Sequence, residues 1–178
     1  MLLYLLAAIG AFVIMAIVWG IFHLRNSQKV AYEAIEKVRL DQITNLRNEC
    51  QATFQSAFNE TLAIDDLETS ARVLSSRLDN VDSLKKAFAR PDFYWHFVLP
   101  VGAYLGELLR VHAKAEWKNS DEGGLEMSIV AGEGVATTFP FDKVMKQVTV
   151  GDKGDVYAYL MASMQLDRTV AELVPTET

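Results

Sequence analysis

No charged residue precedes Arg25, and residues 2 to 22 form an unbroken apolar run, Leu-Leu-Tyr-Leu-Leu-Ala-Ala-Ile-Gly-Ala-Phe-Val-Ile-Met-Ala-Ile-Val-Trp-Gly-Ile-Phe. As a helix rising about 1.5 Å per residue, this run spans roughly 31 Å, against a bilayer hydrocarbon core of about 30 Å. A secretory signal would carry a basic start, a shorter apolar core and a small-x-small cleavage site. The run has only the amino terminus before it and Ile-Phe-His-Leu-Arg-Asn-Ser-Gln-Lys at its end. Residues 1–24 are therefore expected to be an uncleaved membrane anchor. Arg25, Lys29, Lys37 and Arg39 all follow it. Basic flanks stay on the cytoplasmic side. The expectation is a single-pass protein of the cell inner membrane, with an extracytoplasmic N-terminus and a cytoplasmic body. Tyr4 and Trp19 stand near opposite ends, where amphipathic rings favour the interface. The spacings Ala7-x-x-x-Ala11 and Ala16-x-x-x-Gly20 are compatible with close helix pairing and a homo-oligomer.

Charge divides the remainder unevenly. Residues 25–91 hold ten basic and ten acidic side chains, whereas residues 92–178 hold seven basic and thirteen acidic, so the net charge of -6 sits in the last half. Such a surface repels phosphate backbones, and nucleic acid is excluded as a partner. The single cysteine, Cys50, fits a body that needs no disulfide framework.

From Val30 to Phe58 there is no Gly or Pro, and Ala31, Ile35, Val38, Leu46, Cys50, Phe54 and Ala57 recur at helical steps. A continuous juxtamembrane helix is expected, with Glu33 and Lys37 paired on its polar face. Gln42 and Thr53 interrupt the seam, which favours a stripe laid on the protein's own domain over a dimerising coiled coil. Asp65-x-x-Glu68 is a capping-box variant that opens a second helix with Leu67, Ala71, Leu74, Leu78 and Val81 inward. A short helix from Asp82 or Ser83 through Phe88 ends at Arg90-Pro91. Residues 25–91 thus read as a helical juxtamembrane region.

Residues 92–165 read as a small α+β domain. Phe93 to Leu109 is apolar, but its length and its His96, Pro100 and Glu107 favour a buried core helix over a second span. Val101, Tyr104, Leu105 and Leu108 line one face of it, and Gly102 and Gly106 leave a bare stripe against which the backbone of another element is expected to pack closely. Beyond it the period changes to two. Strands are expected at 115–118 around Trp117, at 125–130 with Leu125, Met127 and Ile129 on one face, and at 135–139. The turns between them are Asn119 to Gly124 and Ala131 to Gly134. Pro140 opens a helix carrying Val144, Met145 and Val148. Asp155 caps another with Val156, Tyr159, Leu160 and Met164 inward. Residues 166–178 read as a C-terminal tail. The fold class is therefore α+β: an N-terminal transmembrane helix, a helical juxtamembrane region, then a three-stranded antiparallel sheet packed with helices.

Gly102-Ala103-Tyr104-Leu105-Gly106-Glu107, Trp117 in a strand, and Phe139-Pro140 leading to Val144-Met145-Lys146 and Gly151 resemble a group of uncharacterised bacterial domains of unknown function. The resemblance covers residues 93–165. It implies an α+β fold and a bacterial source, and carries no reaction, cofactor or catalytic residue with it.

Chemistry-bearing patterns are few. Three histidines and one cysteine do not make a zinc site, and no nucleophile elbow, zincin helix or phosphate loop occurs. Gly132-Glu133-Gly134 lies between two strands and is a hairpin turn, and Asp121-Glu122-Gly123 lacks the alternation of a calcium loop. Glu107, on an apolar helix, is the carboxylate of most interest, with Arg110 three residues on as its expected ion partner. His96, His112 and Cys50 read as core or core-edge residues. No catalytic residue, metal ligand or cofactor is assigned. The function expected is protein–protein binding at the inner membrane, most specifically by an immunity protein that neutralises an antibacterial toxin. The alternative is a structural scaffold or accessory subunit of an envelope or secretion assembly. Asp121, Glu122, Glu126, Glu133, Asp152 and Asp155 are the candidate surface for a basic partner.

Overall fold

The computed structural model describes residues 29–30, 32–80, 93–121, 123–131, 134–150 and 156–171. The expected anchor at 1–24, the helix after Asp82, the boundary at 91, Glu122, Glu133, Asp152, Asp155 and the chain beyond 171 lie outside these residues. The chain divides into two compact units, residues 1–34 and 35–178. In the first, residues 29, 30 and 32–34 are helical, and Lys29 Nζ stands 3.8 Å from Glu33 Oε1.

The second unit is α+β. Its elements are a 3-10 turn at Leu40–Gln42, helix α1 (Ile43–Phe58), helix α2 (Leu67–Leu78), a π-helical turn at Tyr94–Val98, helix α3 (Leu99–His112), strands β1 (Glu116–Asn119), β2 (Leu125–Ala131) and β3 (Gly134–Thr138), helix α4 (Pro140–Val150) and helix α5 (Val156–Ala171). The strands form one antiparallel sheet in the order β1-β2-β3. Among the described residues no helix is long and apolar enough to cross a membrane.

The continuous helix expected from Val30 to Phe58 is broken. Residues 37–39 leave the helix, and the chain re-enters through the 3-10 turn. Val38 and Ile43 explain the break, since both are buried and five helical steps would set them about 140° apart. The kink brings both inward. Gln42 stabilises it by accepting a hydrogen bond from the Arg39 amide at 2.9 Å. In α1 the buried residues are Ile43, Cys50 and Phe54, while Ala57 is exposed.

Helix α2 starts one residue later than the Asp65 capping box predicted. Its cap is Asp66, whose Oδ1 accepts from the Thr69 amide at 3.0 Å. Ser70 sets this register. Its hydroxyl accepts from the Ala63 amide at 3.0 Å and donates to the Ala63 carbonyl at 2.8 Å, pinning the loop that buries Leu62. The Thr69 amide holds the Asp66 carboxyl below its usual range. Because the folded pKa is the lower one, the stabilisation is present above the unfolded carboxylate pKa and is lost as pH falls through the folded value. Asp66→Ala should therefore lower the thermal midpoint at neutral pH, with the gap to wild type closing under strong acid. A gap that persists unchanged in acid would show that the cap charge is not what stabilises the helix start.

Helix α3 is the centre of the unit. Every residue from Leu99 to Leu109 is buried, as a buried core helix requires, and the burial extends beyond the face of Val101, Tyr104, Leu105 and Leu108 to all sides. It contacts α1, α2, α4, α5 and β1. Pro100 has no amide to bond the His96 carbonyl and its ring crowds that position. The π-helical turn before it widens the ladder, with the Leu99 amide bonding the Tyr94 carbonyl. On the sheet, Leu125, Met127 and Ile129 are buried, as their alternation predicts. Trp117 is paired with Met127 on this inner face, and Phe141, Val144, Met145 and Val148 bury one side of α4.

Candidate functional site

The glycine stripe of α3 is where helix and sheet meet. A Cβ at Gly106 would overlap Cζ2 and Cη2 of the Trp117 indole, and one at Gly102 would lie 2.5 Å from Phe141 Cδ1. Trp117 and Phe141 are themselves in ring contact, with centroids 5.6 Å apart. The bare faces of two glycines thus admit two aromatic rings, one from β1 and one from α4, rather than the close backbone expected of the stripe, which only the Phe141 α-carbon at Gly102 supplies.

That packing places the Trp117 N–H on a carboxylate. Trp117 Nε1 donates to Glu107 Oε1 at 3.0 Å. Arg110 donates from Nε to the same oxygen at 2.9 Å and from Nη2 to Oε2 at 3.1 Å, the pair its spacing predicts. Arg47 of α1 brings Nη1 to 3.9 Å from Oε2. Glu107 is 5% exposed, and its carboxyl group is met by three hydrogen bonds and two guanidinium groups. The same contact raises the Arg110 pKa, first through the hydrogen bond and then through the carboxylate charge. With both oxygens occupied, Glu107 acts as a staple joining α1, α3 and β1.

The other candidates for chemistry are also engaged in structure. Cys50 is 1% exposed, and burial, then the Glu49 charge, pushes its thiol well up, away from the reactive thiolate. His96 Nδ1 lies 2.6 Å from Glu49 Oε1 and joins the π-helical turn to α1. His112 Nε2 donates to the Ile64 carbonyl at 2.8 Å. Tyr104 is fully buried against Ser70, with 3.2 Å between the hydroxyl oxygens, and desolvation raises its pKa to about 12. Among the described residues there is no group of three or more His, Cys, Asp or Glu that could hold a metal ion.

The outward face of the sheet is different. Alternation directs Glu116 and Lys118 of β1, Glu126 and Val130 of β2, and Val135 and Thr137 of β3 away from the core. Val130 and Val135 are direct cross-strand partners and are 58% and 62% exposed. Phe139, just beyond β3, is 42% exposed. Of the acidic candidates, Glu126 lies on this face opposite Lys118, and Asp121 is exposed in the β1–β2 turn. The described structure brings no others to it. The valine pair was missed in the sequence because Val130 and Val135 each read simply as strand residues. Their signal lies in pairing across a two-residue loop, which makes them neighbours on the polar side.

Comparisons with protein-family models, with curated proteins and with solved structures return no match.

Proposed function

We propose that this chain is a single-pass protein of the bacterial inner membrane that works by holding another protein, with the outward sheet face as the capturing surface. The observation that carries the reading is the exposed Val130–Val135 pair on the sheet face that also carries Glu116, Lys118 and Glu126, in the half of the chain that bears the net negative charge. Adjacent exposed β-branched side chains, followed along the same face by Ser128 and Thr137 and then by charged residues, suit an apolar contact rimmed by polar groups. Acidic side chains around such a contact speed encounter with a basic partner and discriminate against acidic ones. Buried polar groups such as Glu107, Ser70 and Tyr104 meanwhile serve the core. The most specific form of the reading is an immunity protein whose partner is an antibacterial toxin acting at or reaching the membrane.

The test is affinity purification of the full-length protein from mild detergent, with partners identified by mass spectrometry, beside Val130→Lys and Glu126→Lys. One dominant basic partner should return with the wild type. Val130→Lys should weaken its capture by about tenfold or more if the valine is an interface centre. Glu126→Lys should slow association mainly at low salt. A toxin-like partner supports the immunity form. Envelope assembly components alone would support the scaffold form, and a partner held equally by all three proteins would remove the sheet face from the reading.

A further inference from the structure

We draw no further inference here: the strongest candidate, the pair of guanidinium groups that Arg47 and Arg110 bring together at the seam of α1 and α3, belongs to the Glu107 site already described, where both groups face that carboxylate.

Discussion

Gly106→Ala should destabilise the protein by about 2–3 kcal/mol, although alanine is the better helix former by about 1 kcal/mol. The added methyl would occupy the space of the Trp117 ring. The indole then has to move, and its movement pulls Nε1 from Glu107 and opens the contact with Phe141. Gly102→Ala should lose stability in the same direction, because Phe141 presents its α-carbon as well as its ring, with Cα 3.1 Å from the added methyl. Urea unfolding measures both, provided the slope is unchanged and only the midpoint moves. The sign decides the matter. A midpoint that rises for Gly106→Ala would mean that propensity governs the position and that the helix–sheet contact is loose.

The second large effect is expected at Glu107. Glu107→Leu leaves the Trp117 N–H without its acceptor and removes the counter-charge facing Arg110 and Arg47. A loss of about 3 kcal/mol follows from stranding a buried donor and breaking a charge-assisted group. Glu107→Gln keeps an acceptor for Trp117 but turns one amide donor toward the guanidinium groups, so about half that loss is expected. Arg110→Ala leaves the buried Glu107 carboxylate with only Trp117 and the more distant Arg47 as partners, so a loss similar in size to that of Glu107→Leu is expected. Equal midpoints for Glu107→Leu and wild type would show that the staple contributes nothing to stability. A Glu107→Gln protein that keeps its stability but loses partner capture would instead give the carboxylate a part in binding.

Much of the second unit was legible as local spacing. The alternation of Leu125, Met127 and Ile129 marks the inward face of β2, and the four-residue spacing of Gly102 and Gly106 marks a close approach. The three residues from Glu107 to Arg110 mark an ion pair. What stayed hidden depends on contacts distant in sequence. The helix break before α1 follows from where Val38 and Ile43 must go, with no Gly or Pro to announce it. The cap at Asp66 in place of Asp65 follows from Ser70 holding Ala63. Arg47 reaches Glu107 only because α1 packs on α3.

The candidate binding face shows the same division. Acidic content identified the half of the chain to search, but Val130 and Val135 become a pair only through the hairpin register.

Hydrogen exchange of the full-length protein, alone and with its captured partner, tests most directly the claim that the outward sheet face does the holding. Partner binding should slow exchange across β2 and β3, at residues 125–131 and 134–138, and leave the already buried core of α3 unchanged. Protection confined to α1, α2 or the N-terminal residues, with β2 and β3 exchanging as before, would contradict it.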